Sequence, residues 1–504
     1  MEFIYAHLLS LILFIPTLAA VIVLFLPGDK VRLIRWFALG ASLIPFALSL
    51  LMWTRFQPGT AGFQFQEQIA WYAAISASYH LGIDGISLPM ILLTTLLIPL
   101  SLLTSFSVTE RVKPYMFLFL LLETGLLGVF MALDLMLFFV FWEMGLVPMY
   151  FLIAQWGSAN RNYASLKFIL YTIAGSLGLL LSIQLIGVIS GTYDLAKLFS
   201  IWPNLPPGNI MGMPAETVKS IAFWTFVIAF AIKLPVWPFH TWLPDAHTEA
   251  PTAGSMILAG VMLKLGAYGF LRLVLPLFPA EAHTYAVWLA ALGTLSIILG
   301  ALSAYGQTDF KRLVAYSSIN HMGFVVLGIA VAAWAAGTLD ANIALNGAVL
   351  QMFNHGLSAA GMFFLVGVLY DRTHTRNLKD YGGFFALVPI YGAVLIFTSM
   401  GSLGLPGLGG FISEFMVVRG AWPVFTLMTA LSMIGLFFTG AYVLKALKYV
   451  LHGPVNEKWN HHLSEISARE LVVIAPLMAL MLVIGFWPAS LLDIINRAIV
   501  FLRF

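Results

Sequence analysis

Runs of about twenty mostly apolar residues recur along almost the whole chain, and a run of that length is what an α-helix needs to cross the hydrocarbon core of a bilayer. Fourteen can be read, at 3–26, 31–53, 84–107, 114–132, 134–156, 164–190, 217–239, 253–278, 283–304, 311–333, 340–370, 382–418, 424–450 and 469–493. They are long and apolar all round, which excludes outer-membrane strands of about ten residues with alternating polarity. Composition agrees. Of 504 residues, 61% are hydrophobic and 9% charged, whereas a soluble domain carries about a quarter charged residues. The first run, Phe3 to Leu26, has no basic segment ahead of it and reads as a spanning helix, not a cleaved signal. The expected fold is an all-α polytopic membrane protein of about 14 transmembrane helices.

Lys and Arg in the loops set the orientation. With the loop after the first span taken as cytoplasmic, sixteen basic residues fall on that side, among them Lys30, Arg32, Arg161, Lys167, Lys311 and Arg376. Seven fall on the other: Arg55, Lys197, Lys219, Arg272, Arg419, Arg497 and Arg503. Both termini are then expected on the non-cytoplasmic side of a bacterial inner membrane. The remaining two of the 25 basic residues, Lys233 and Lys264, lie inside spans.

Two spans carry breaks. The seventh contains Lys233-Leu234-Pro235-Val236-Trp237-Pro238, and Pro235 has no N–H to give and a ring that clashes with the preceding turn. The twelfth contains Gly401-Ser402-Leu403-Gly404-Leu405-Pro406-Gly407 before resuming through Glu414. One such break reads as a simple kink. Two breaks five spans apart suggest a repeat of five helices with the broken helix fourth, and an odd-numbered unit followed by its copy must run inverted. Ion and substrate sites of inverted-repeat transporters lie at such discontinuous helices. The expected organisation is a three-helix segment at 1–113, a first five-helix repeat at 114–278, an inverted second repeat at 283–451 and a C-terminal helix at 452–504.

Ionisable residues recur inside these spans: Glu123, Glu143, Lys233, Lys264, His321, His355 and Glu414. A charge at the centre of a bilayer costs about 2.5–3.5 kcal/mol on insertion scales, so it is rare unless function keeps it. Each has a bland reading. Glu143 and Lys233 would serve as a structural ion pair. His321 and His355 would each serve as a packing histidine, and Glu123, beside Thr124, would bond a neighbouring helix. Asp84 and Asp134, at span ends, read as hydrated interfacial residues, and His461-His462 as an exposed loop pair. The set is what points to proton transfer. Burial raises a carboxylate pKa and lowers that of lysine, while an approaching opposite charge reverses both, so a buried Lys with a mobile carboxylate partner is a switchable proton site. Histidine passes protons near neutral pH with little driving force.

Other chemistries are set aside. No Gly-x-Gly-x-x-Gly follows a strand, and there is no phosphate-binding loop and no His-Glu-x-x-His. No flavin or haem signal and no basic nucleic-acid-binding run appears. The absence of cysteine excludes disulfides and Cys-ligated clusters in this chain. No cofactor is expected in it.

Several stretches carry a family resemblance: Leu81-Gly82-Ile83-Asp84-Gly85-Ile86-Ser87, Phe141-Trp142-Glu143, the run from Lys233 through Pro235, Pro238 and His240 to His247, Ala250-Pro251-Thr252, Tyr316-Ser317-Ser318-Ile319-Asn320-His321 and His355-Gly356-Leu357-Ser358. Through them the chain resembles, over nearly its whole length, the antiporter-like proton-pumping subunits of respiratory complex I, NADH:quinone oxidoreductase, and most closely the chain M (chain 4) group. The resemblance implies that Glu143 and Lys233 form the coupled pair of a first half-channel. It makes Lys264 the connecting lysine, His321 and His355 the linking histidines, and Glu414 the terminal residue of a second half-channel. A glutamate at that last position is similar to chain M, where chains L and N usually place lysine. It also implies paralogous membrane-arm partners, with Glu143 the contact to a neighbour's polar axis. NADH and quinone chemistry would lie in other subunits, with no redox centre here. The alternative is a subunit of a multi-subunit cation/proton antiporter or membrane-bound hydrogenase. A stand-alone solute transporter would need a substrate pocket at the breaks, and none is marked. A scaffold would tolerate neutral replacement of the buried charges.

Overall fold

In hydrocarbon every backbone N–H and C=O must find its partner within the chain, so the apolar runs close their hydrogen bonds as helices. The computed structural model describes residues 5–459 and 463–502; the pair His461-His462 lies outside them, as do the first residues of the first expected span and Arg503. The helices are α1 Leu8–Phe25, α2 Val31–Arg55, α3 Ser87–Thr104, α4 Val112–Met131, α5 Leu135–Trp156 and α6 Arg161–Ser190. A short α7 Leu195–Ile201 leads to α8 Ala215–Lys233, α9 Trp242–Glu249 and α10 Thr252–Leu277. Then come α11 Pro279–Gly306, α12 Phe310–Trp334, α13 Leu339–Thr373, α14 Pro389–Leu403, α15 Gly409–Ala421, α16 Thr426–Leu451, α17 Ala468–Phe486 and α18 Ala489–Phe501. Thirteen described helices are long and apolar enough to cross a membrane, and the pair α14–α15 makes the broken fourteenth crossing.

The two broken crossings occupy equivalent places. Counting from α4, the fourth crossing is α8 followed by α9; counting from α11, it is α14 followed by α15. The first break runs further than the sequence suggests. The helix opens after Lys233, across the segment containing Pro235 and Pro238, and resumes at Trp242–Glu249, beyond the expected end of that span at 239. Pro244 is tolerated because it falls in the first turn of α9, where the missing N–H would have no helical partner. The last expected span, 469–493, is also divided: α17 stops at Phe486, and α18 starts as a separate helix after Pro488.

Enclosure is uneven, and it locates the interior. The best spanning windows of α10 and α13 are wholly buried and that of α12 is 94% buried, whereas α1, α16 and α17 show most of their surface outward. Lys264, His355 and His321 lie on those three enclosed helices. Close helix approach comes from small residues, as expected where lipid removes a hydrophobic drive between helices. A Cβ on Gly266 of α10 would stand 2.7 Å from the Phe230 carbonyl of α8, so only glycine admits the broken end of α8 there.

Two parts of the fold are strand pairs, the smaller being Asn209–Ile210 with Met213–Pro214. Strands β1 Gln64–Tyr72 and β2 Ala77–Ile83 form an antiparallel hairpin, with Gln68 opposite His80. It ties three corners of one face together. Glu67 accepts from the Leu9 and Ser10 amides at the start of α1, and Leu133 N–H donates to the His80 carbonyl. His80 Nδ1 lies 2.9 Å from Asp194 Oδ2 before α7. Asp134 is buried, not hydrated: it caps α5 by accepting from Met136 and Leu137 N–H, and it takes Ser78 N–H of the hairpin as well. A capping carboxylate fully used by backbone donors no longer needs water.

Burial raises the Asp194 carboxyl, but its hydrogen bonds with His80 and the Lys197 amide outweigh that and hold it below its ordinary range. A lowered carboxylate pKa gives stability that is complete above the unfolded pKa and is lost as pH falls through the folded one. Protease cutting within 64–83 is therefore expected to accelerate only once pH drops below the usual carboxylate range. Asp194→Asn is expected to weaken hairpin anchoring at neutral pH by about 1–3 kcal/mol, read as faster cutting at pH 7.

Candidate functional site

The enclosed helices bring four of the seven candidate side chains into one chain of contacts. Lys264 sits between two π-helical turns of α10, Leu258–Met262 and Phe270–Val274. Such turns widen a helix and occur often at functional sites. The first of them contributes the Ala259 carbonyl, to which Lys264 Nζ donates at 2.5 Å. The same Nζ lies 2.7 Å from His355 Nδ1 on α13. The His355 and His321 rings face each other with centroids 5.6 Å apart. On the far side of α12, His321 Nδ1 lies 2.7 Å from Glu414 Oε1 on α15, and His321 Nε2 lies 3.2 Å from the Tyr442 hydroxyl on α16. All four side chains are buried.

The spatial order is Lys264, His355, His321, Glu414. It reverses the two histidines relative to their chain order, which ran His321 then His355 from Lys264. Chain order follows the succession of helices, whereas α13, although later in sequence, packs between α10 and α12. Lys264 belongs to the first group of five crossings and the other three to the second, so the Lys264–His355 contact joins the two.

The broken crossing α14–α15 positions Glu414. Gln351, one turn before His355 on α13, donates Nε2–H to Glu414 Oε1 at 2.9 Å and accepts from Ser413 Oγ at 2.5 Å. Asn354 Nδ2 donates to the Gly409 carbonyl at 2.8 Å, at the start of α15. A carboxylate in so enclosed a place must be paired and hydrogen-bonded to be tolerated, and it has His321 and Gln351. Gln351 and Asn354 are visible in the sequence as polar residues in an apolar run. The i, i+4 spacing of Gln351 and His355 was the signal that they share a face. Tyr442 gave no such signal.

The structure does not bring Glu143 and Lys233 into an ion pair. Among the described residues no nitrogen–oxygen contact within 4.0 Å joins them. Lys233, buried at the last residue of α8, instead places its Nζ over the neighbouring Trp142 ring, 5.0 Å from its centre. Glu143 is half-buried, with one carboxylate oxygen enclosed and unpartnered. It shares a helix face with Val140, Val147 and Phe151, all exposed. Glu123 is fully buried with both oxygens unpartnered; the bond to the neighbouring helix α1 is made by Thr124, 2.7 Å from Thr17. His247, on α9, is buried with both ring nitrogens unpartnered and stacks on Phe363 at 4.3 Å.

Two residues were misplaced by counting loop charges. Arg272 is a buried residue of α10 whose guanidinium lies 2.6 Å from Asp84, so the two form an ion pair within the fold instead of standing free at an interface. Lys311 is also buried, donating to the Ala250 carbonyl at 2.5 Å. Hydropathy windows place span ends by average and cannot see that a partner waits at the end of a helix.

The sequence profile described as NADH:quinone oxidoreductase/Mrp antiporter, TM, matches residues 132–440. The chain is 39% identical over 501 residues to NADH-quinone oxidoreductase subunit M of Rhodobacter capsulatus, covering 98% of this chain and 96% of that one. Among solved structures it is similar to a chain of respiratory complex I from Thermus thermophilus with bound NADH, at 26% identity and a TM-score of 0.84, covering 98% of this chain and all of that one. It shares the fold of a chain in the Mrp complex of a Dietzia species, at 21% identity, a TM-score of 0.84 and coverage of 99% and 97%.

A Cβ on Gly409 would stand 2.6 Å from Asn354 Oδ1. Gly409→Ala is expected to push Asn354 away from α15 and cost about 1–3 kcal/mol through overpacking. The thermal midpoint of the purified protein in detergent would report it as a clear fall.

Proposed function

We propose, on the premise that the chain belongs to the NADH:quinone oxidoreductase/Mrp antiporter transmembrane family as an antiporter-like membrane-arm subunit of the complex I type, that it carries protons across the membrane through its buried ionisable row. The observation that carries this reading is the row Lys264, His355, His321, Glu414, in which two 2.7 Å contacts flank a pair of histidine rings whose centres are 5.6 Å apart. It crosses from one five-crossing group to the other inside the most enclosed part of the protein. These groups can each hold or release a proton, and their contacts of 2.7 Å are short enough for direct transfer. Lys264 would hand a proton to His355 and His321 would hand one to Glu414, with the 5.6 Å between ring centres bridged by ring motion or water.

In this reading Lys233 and Glu143 are the switch at the other end. Their separation corresponds to the withdrawn state, in which Lys233 rests on Trp142 without a carboxylate partner. A carboxylate on an otherwise apolar exposed helix face is costly against lipid. Glu143 with Val140, Val147 and Phe151 therefore fits a face covered by another membrane-arm subunit, through which the relay would be driven. The energy comes from electron transfer elsewhere in the complex, and this chain contributes no redox group. The two repeats, 114–278 and 283–451, are the two half-channels, with Glu123 an accessory carboxylate of the first. The excess of basic loop residues supports an orientation with both termini on the non-cytoplasmic side of a bacterial inner membrane. The family also embraces cation/proton antiporters. The 39% identity to a subunit M over nearly the full length favours complex I.

Lys233→Ala and Glu143→Ala in the assembled complex are expected to cut NADH-driven proton uptake into vesicles by about ten-fold or more while the complex still assembles. Normal uptake in both would end the proposal, and loss of assembly would favour a structural role for the pair. Glu414→Gln retains a side-chain acceptor for His321 and should keep the fold with a similar loss of uptake.

A further inference from the structure

The relay has a neighbour that the proton-moving reading does not use. On the face that carries the hairpin, a cavity of about 750 Å³ opens between loop 56–63, α7 and the terminal helix α18. Arg497 of α18 holds its rim by donating to the Pro58 carbonyl. Its floor is the Asp84–Arg272 pair. Arg272 is 2% exposed and is sandwiched between the Phe63 ring at 4.9 Å and the Tyr268 ring at 5.4 Å. Tyr268 lies one helical turn beyond Lys264 on α10, and residues four apart share a helix face. Lys264, Tyr268 and Arg272 thus follow one another at four-residue intervals along α10, with Arg272 at the cavity.

The Tyr268–Arg272 end of this series is built to refuse a proton. The Tyr268 hydroxyl donates to the Phe130 carbonyl at 3.1 Å, and it accepts from Arg272 Nε at 3.2 Å and Ser87 Oγ at 2.8 Å. A hydroxyl has one hydrogen to donate and two lone pairs to accept with, and all are taken, so it has no site for an incoming proton. Behind it stands a guanidinium that stays charged at any working pH. Asp84 is fixed by the Ile86 and Ser87 amides, and it and Arg272 both line the cavity.

We propose that Tyr268, Arg272 and Asp84 form a proton seal that insulates Lys264 from this cavity, so that protons on the row cannot short-circuit to the hairpin face. Arg272 is a positioning and barrier residue, not a carrier. The inference rests on the reading of Lys264 as a proton carrier.

The test uses the assembled complex in vesicles and reads passive proton leak without NADH together with protons moved per NADH oxidised. Arg272→Gln is expected to raise the leak several-fold and lower the proton yield at unchanged NADH oxidation. Arg272→Lys should keep both near wild type, and adding Lys264→Ala to Arg272→Gln should abolish the extra leak. If Arg272→Gln does not assemble, Tyr268→Ala opens the same neck and should give a smaller but measurable leak. A tight, assembled Arg272→Gln complex overturns the seal, as does a leak that persists without Lys264, which would mark a packing defect. Full pumping in Lys264→Ala alone would overturn the underlying relay instead, and so separates the two failures.

Discussion

The centre of this protein depends on keeping the Lys264 amine, buried on an enclosed helix, away from lipid and hydrogen-bonded. An unpaired charge in a low-dielectric interior is too costly to persist, so it must be enclosed and hydrogen-bonded or lose its charge. Lys264 is enclosed by a helix whose surface is wholly covered, and it is bonded to one carbonyl and one imidazole. Neither partner is a carboxylate. A carboxylate in direct contact would hold the proton on the lysine, whereas an imidazole can take it. The Lys264–His355 contact therefore supports the fold and the proposed transfer with the same atoms, and it is one of the places where the two five-crossing groups meet.

The far end is arranged differently. Glu414 has a titratable partner in His321 and a fixed one in Gln351, and Gln351 is itself held by Ser413. The broken crossing makes this possible: α15 starts beside α13, and Asn354 adds a side-chain donor to the Gly409 carbonyl in its first turn. At the near end no comparable web holds Lys233 and Glu143. Arg272 shows the opposite use of a buried charge: paired and stacked between rings, it is fixed in place.

What the sequence made legible was which ionisable residues interrupt the apolar runs. Glu123, Glu143, Lys233, Lys264, His321, His355 and Glu414 stand out because each interrupts a long apolar run, and that contrast needs only local sequence. The spans were legible for the same reason, as were the breaks, because Pro235 and the glycine-rich stretch near Pro406 act on their own backbone. Less legible were Arg272, Asp84 and Asp134, which sit where hydropathy tapers off and whose partners come from distant segments. The hairpin at 64–83 was not anticipated, since its strands gain their register from α1 and the corners near residues 134 and 194.

The amino-acid sequence by itself determined that this chain lives in a membrane, roughly where it crosses and most of the ionisable groups carried inside. These follow from transfer energies and backbone chemistry that act residue by residue. Only the tertiary structure decided the order Lys264, His355, His321, Glu414, the resting of Lys233 on Trp142 rather than on Glu143, and the pairing of Arg272 with Asp84. Those depend on which helices pack side by side, and helix packing is settled by shape and small residues spread over the whole chain.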